Sequence, residues 1–159
     1  MKYERFEQLP AWPASIELAA QIYRFTATPA FRGQHSIRDQ IERATVSISN
    51  NIAEGLERGS NQELLAFLYI GRGSAGQVRS MLSLRERLPA FKGLEAVISG
   101  LKSKAEAISK QLGGCVRSLQ NSGVKSERYV TDKTRKAGEA SQQRKAFLER
   151  VNRICIQVS

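Results

Sequence analysis

The segment Gly71-Arg72-Gly73-Ser74-Ala75-Gly76 has the spacing of a dinucleotide-binding loop, and it follows an apolar run from Leu64 to Ile70. In such a loop glycines let backbone amides approach a pyrophosphate, but the chemistry needs a strand before the loop and an acidic ribose-binding residue beyond it. Neither is present. An apolar heptad continues unbroken from Leu64 through Leu82, so the whole stretch reads as helix and its glycines as places of close helix packing. Catalysis and metal ligation have little to work with elsewhere. The sole histidine, His35, stands in a turn with no paired cysteine or carboxylate pair, and Cys115 and Cys155 fall at helical apolar positions, where they read as small hydrophobes of a reducing compartment. No catalytic residue, cofactor or metal site is predicted, and the chain reads as a non-enzyme.

Positive charge is what remains. The 159 residues hold 25 Lys and Arg against 15 Asp and Glu, a formal charge of +10 that favours polyanion partners through counterion release. Residues 120–159 carry nine of those cations against four carboxylates, so the charge is densest there. In helical projection Lys110 and Arg117 point away from the apolar seam of their helix, Lys102 and Lys104 flank it, and Arg72 and Arg79 share one edge of the preceding helix. These six, with Lys133, Arg135, Lys136, Arg144 and Lys145 as further anchors, are the predicted phosphate contacts. Aromatic and planar groups that read bases are scarce among them, so binding by shape and charge is expected. A merely solvated charged face is the plainer reading of the same residues. The pairs Asp39/Arg43 and Arg38/Glu42, each four apart, predict helix-surface ion pairs.

Nucleic acid is a better partner than membrane, because no segment joins a basic face to a broad apolar one. The longest apolar run falls far short of the roughly 20 residues that cross a bilayer. Met1-Lys2-Tyr3-Glu4 opens no signal pattern, so a soluble cytoplasmic protein is expected.

The elements that must position these cations are helical throughout. A first helix is predicted from Trp12-Pro13 to about Thr26, with Trp12, Ile16, Ala19 and Tyr23 as its inner stripe, and Pro29 blocks its continuation. A second starts near Ser36, carries Ile37, Ile41, Ala44, Ile48 and Asn51, and stops at Gly55 as a capping residue. The third opens at Ser60 or Asn61 with Glu63 in capping-box position, follows Leu64, Leu68, Gly71, Ala75, Val78 and Leu82, and runs until Pro89. The fourth repeats Leu94, Ile98, Leu101, Ala105, Ile108, Leu112, Cys115 and Leu119 in strict heptads. Antiparallel alignment of these stripes sets Gly71 against Ala44 and Ile108. The fold class is therefore all-α, an antiparallel up-down-up-down four-helix bundle over residues 1–119. Residues 120–159 read as a basic extension: a linker, then a short amphipathic helix around Phe147, Val151, Ile154 and Val158. Phe67, Ile70, Met81, Leu84 and Leu88 make the third helix greasier than a bundle seam needs, and subunit contact or a wider core stripe accounts for them equally well.

The order and spacing of several strings resemble the four-helix-bundle family of 23S rRNA intervening-sequence proteins. Phe6-Glu7-Gln8-Leu9 with Trp12, Leu18 and Ile22-Tyr23 looks like its opening. Gln40-Ile41-Glu42-Arg43-Ala44, Val46-Ser47-Ile48 and Asn51-Ile52-Ala53-Glu54-Gly55 look like its central signature, which Arg58, Ser60, Glu63, Phe67-Leu68, Ile70 and Gly73-Ser74 complete. The resemblance is firm over residues 6 to about 88 and looser in the fourth helix. It implies a non-enzymatic, ring-like homopentamer, similar to the accessory variability proteins of diversity-generating retroelements, which bind RNA or DNA and assist a reverse transcriptase. Ser49 stands where the family usually has proline, and Gln77 and Arg79 replace commonly acidic positions, a shift toward the nucleic-acid branch. The expected function is thus an oligomeric RNA-binding bundle, with a protein–protein module of incidental charge as the alternative.

Overall fold

The computed structural model describes residues 5–121; Gln120 and Asn121, expected to open the linker, continue the fourth helix, and the rest of the predicted linker and C-terminal helix, with Lys133, Arg135, Lys136, Arg144 and Lys145, lies outside the described residues. Four helices account for most of what it describes, and no strand occurs among those residues: α1 (Ala11–Thr26), α2 (His35–Glu57), α3 (Asn61–Arg85) and α4 (Glu95–Asn121). They form a four-helix bundle in which α1 and α3 each pack against α2 and α4. Leu64 to Gly76 lies wholly inside α3, which removes the strand-loop-helix reading of the glycine string.

Local chemistry sets the ends. Ser60 caps α3, its hydroxyl oxygen accepting from the Glu63 N–H at 3.2 Å while its O–H donates to the Glu63 carboxylate at 2.8 Å. Gly59 precedes it at φ +81°, a left-handed turn that glycine adopts without a Cβ clash. Gly55, expected to cap α2, is instead inside the helix and buried. A Cβ there would stand 2.7 Å from Phe67 Cβ and 3.1 Å from Leu64 Cδ1, so its lack of a side chain is what lets α2 and α3 touch. Ser49 leaves α2 unbroken, its hydroxyl donating to the Val46 carbonyl at 3.0 Å.

The core follows the predicted stripes of α3 and α4 and the middle of that of α2, with Ile41, Ile48, Leu64, Leu68, Val78, Leu82, Ile98 and Leu112 all buried, but on α2 Ile37 and Asn51 are only half-buried and Ile52 and Leu56 are core instead. Two further expectations change. The inner face of α1 is Ala11, Ser15, Leu18, Ile22, Phe25 and Thr26 together with the expected Ala19, while Ile16 (43% exposed) and Tyr23 (47%) turn outward. The polar members conceal this face in sequence, because the Ser15 and Thr26 hydroxyls donate back to the Trp12 and Tyr23 carbonyls and so bury without loss. The register also sits about one turn from the expected one. Gly71 lies against Ile48 and Asn51 rather than Ala44, and against Leu112 rather than Ile108. Heptad stripes repeat every turn, so their pattern permits either alignment; contact at Gly55 selects one.

Helix α3 ends at Arg85, short of Pro89, because the chain turns there into a second copy of an earlier string. Pro29-Ala30-Phe31-Arg32-Gly33 and Pro89-Ala90-Phe91-Lys92-Gly93 each make a short 3₁₀ turn that closes on a positive-φ glycine. Their buried phenylalanines meet edge to face with ring centres 4.9 Å apart, and Phe25 completes the cluster. Arg85 is fully buried against them, its guanidinium 5.5 Å from the Phe31 ring centre and 5.2 Å from that of Phe91.

Candidate nucleic-acid interface

Arg72, Arg79, Lys110 and Arg117 line a single concavity of about 250 Å³ between α3 and α4, together with Glu106, Ser109 and Gly113. The helices bring them there as rungs of a ladder. Arg72 on α3 pairs in level with Arg117 on α4, and Arg79 with Lys110, each step being seven residues or about 10 Å along the axes. Gly113 forms the floor: a Cβ at that position would meet Arg117 Nη1 at 3.6 Å and Arg72 Cζ at 3.7 Å, so both guanidinium groups lie across one glycine.

Charge in the groove is unbalanced. Four cations face one carboxylate, Glu106, which pairs with Lys110 at 2.9 Å. The hydrogen bond and charge of Lys110, with the charge of Arg79, hold the Glu106 carboxyl below the usual carboxylate range, so it stays ionised well into mildly acidic solution. Arg72 and Arg117 have no carboxylate partner among the described residues, although they converge. Two like charges held together without a counter-ion are a site at which a phosphate relieves repulsion as well as gaining attraction.

The two remaining lysines of the predicted set are placed differently. Lys102 sits farther along the same α3/α4 edge but donates to Glu86 at 2.8 Å, which neutralises it. Lys104 faces α1, donating to Gln21 and lining a separate, mostly apolar groove with Phe25, Leu94, Val97 and Leu101. Their expected flanking of one seam therefore resolves into two different neighbours. Of the predicted ion pairs, Arg38–Glu42 forms at 3.0 Å and Asp39–Arg43 does not; Arg43 instead lines a mixed groove with Gln40, Ala44, Ser47, Gln77, Ser80 and Met81.

The predicted subunit surface is only partly free. Phe67, Met81 and Leu88 are half-buried; Met81 and Leu88 pack on the core, and Phe67 lies under Arg58. Ile70 and Leu84 are exposed, but Gln77 stands between them on the same heptad stripe, so they make two islands. Among the glycines of the Gly71 to Gly76 string, Gly71 serves close packing, whereas Gly73 and Gly76 have nothing within 4 Å of a built Cβ and face solvent, which corrects their assignment to packing.

Sequence reasoning missed two features of this edge. Tyr69, 48% exposed, lies one turn before Arg72, and its hydroxyl accepts from Gln120 Nε2 at 3.0 Å, forming a further rung beyond Arg72 and Arg117. Its spacing to Arg72 is the signal that was available. The second is Gly113, which lies outside the Leu112 and Cys115 stripe and carries no sequence signal of its own until the arginines are seen over it. Among the described residues no three of His, Cys, Asp and Glu gather as a metal site, and no helix is long and apolar enough to cross a membrane.

The family model of the 23S rRNA-intervening sequence protein matches residues 7–114, reaching through most of α4. A search of curated proteins finds no match. The chain belongs to the 23S rRNA-intervening sequence protein family.

Proposed function

We propose that this family member is a non-catalytic RNA-binding bundle whose α3/α4 groove takes the phosphate backbone. The observation that carries the reading is the convergence of Arg72, Arg79, Lys110 and Arg117 on one concavity against a single carboxylate. The family's tie to 23S rRNA intervening sequences supports RNA over DNA as the polyanion. Reversing Arg72 and Arg117 to glutamate tests it: RNA affinity should collapse while the fold is kept, since both side chains are exposed. Retained affinity would contradict it.

The finer reading adds self-association and a role beside a reverse transcriptase. Self-association is supported by Ile16 and Tyr23, two large apolar side chains exposed seven residues apart on α1 beside Trp12, which itself packs on Phe6 and the core; the role beside a reverse transcriptase is supported by the family resemblance alone. A homo-oligomer, a ring of five in the form the resemblance implies, would bury those two side chains and leave the α3/α4 groove open. Solution mass of the parent and of Ile16→Glu separates the two states: the parent should be oligomeric and the variant smaller, and a monomeric parent would remove this part of the proposal.

A further inference from the structure

We infer that the α3/α4 edge selects unpaired nucleotides, with the Tyr69 ring as the platform on which a base stacks while the adjoining phosphates lie in the arginine groove. The inference rests on the proposed function and specifies its substrate class. Its basis is the order of the rungs. Tyr69 and Gln120 stand at one end, Arg72 and Arg117 follow about 4.5 Å along the helix axes, and Arg79 and Lys110 about 10 Å beyond them. The next rung, Glu86 and Lys102, is internally neutralised and closes the cationic stretch.

A large aromatic ring that is half exposed on a helix surface has lost the burial that usually justifies its place. Tyr69 is also held: the hydrogen bond from Gln120 of the opposite helix fixes its hydroxyl and so limits the swing of the ring. An aromatic face fixed at the end of a cation-lined groove is the arrangement by which proteins bind single strands, because every base offers a π-face and the backbone offers charge. A duplex keeps its bases stacked on one another and leaves only phosphates and sugar edges to the groove. Tyr69 therefore distinguishes the two, whereas the arginines do not.

Fluorescence anisotropy on the full chain tests this with three labelled probes of equal length: a single-stranded RNA, an RNA duplex, and an abasic strand carrying phosphates without bases. Tyr69→Ala should weaken the single strand by roughly five- to hundredfold, the range of one lost stacking contact, and leave the duplex, the abasic strand and the salt slope unchanged. Tyr69→Phe keeps the ring and should retain most of the single-strand affinity. Equal loss on all three probes would overturn the inference, since it would assign Tyr69 a structural role, and so would no loss on any. If Arg72→Glu with Arg117→Glu leaves binding of every probe intact, the failure lies with the proposed function itself, and this inference falls with it.

Discussion

Arg85 and Arg72 lie on the same helix, thirteen residues apart, and their surroundings are opposite. Arg85 is fully buried between the two repeated turns, with its cation over Phe31 and Phe91, one Nη donating to Gln34 at 3.3 Å, and its Nε and other Nη without partners. Burial lowers its pKa, the sign expected when a cation loses water and gains no carboxylate. Arg72 is exposed, faces Arg117, and has no carboxylate partner among the described residues. Residue type alone does not separate a structural cation from a binding one; the neighbours do. At the Arg85 end two aromatic turns close over the charge, and at the Arg72 end Gly113 leaves it uncovered.

The comparison breaks most visibly at the closed end. Phe91→Ala removes the ring that touches Phe31, Phe25 and Arg85, and should cost about 3–5 kcal/mol of stability, read as an earlier midpoint in urea. RNA binding of the fraction still folded should be unchanged. Arg85 itself gives a sharper result. Arg85→Ala should cost about 2–4 kcal/mol through the cavity it leaves, whereas Arg85→Met fills that space without burying a charge and should fall within about 1 kcal/mol of the parent or above it. A large loss with methionine would mean that the cation, rather than the volume, holds the turns together. At the open end the expected effect is smaller. Glu106→Gln removes the one carboxylate of the groove and should tighten RNA by a few-fold at neutral pH. Because that carboxyl titrates below the usual range, mild acidification of the parent should not reproduce the gain, which should appear only as pH falls through the lowered value.

How far the sequence foretold this depends on what each feature requires. Helix count, the inner faces of α3 and α4 and the middle of that of α2 were legible because apolar spacing reports them directly, whereas Ile52 and Leu56 of α2 were missed. The inner face of α1 was not, since Ser15 and Thr26 satisfy their hydroxyls within their own helix and bury like apolar residues, while Ile16 and Tyr23 look like core and face outward. Register was ambiguous by a turn until Gly55 was seen as a contact rather than a cap. The paired Pro-Ala-Phe turns were readable as a repeated string but give no hint that Arg85 joins them. For the candidate site, projection put Lys110 and Arg117 directly outward and only Arg72 and Arg79 on one edge, whereas the four share one groove and Lys102 and Lys104 face Glu86 and Gln21, because projection cannot tell which neighbour an edge will face. Tyr69 was hidden for the same reason.

Salt dependence of RNA binding tests the central claim most directly. For the parent chain the logarithm of affinity should fall steeply with the logarithm of salt concentration. A variant with Arg72, Arg79, Lys110 and Arg117 all changed to glutamine should lose about 0.7–0.9 of that slope for each phosphate contact removed, with its helical content intact. Identical slopes for parent and variant would contradict the account, because the phosphates would then be held somewhere other than the α3/α4 groove.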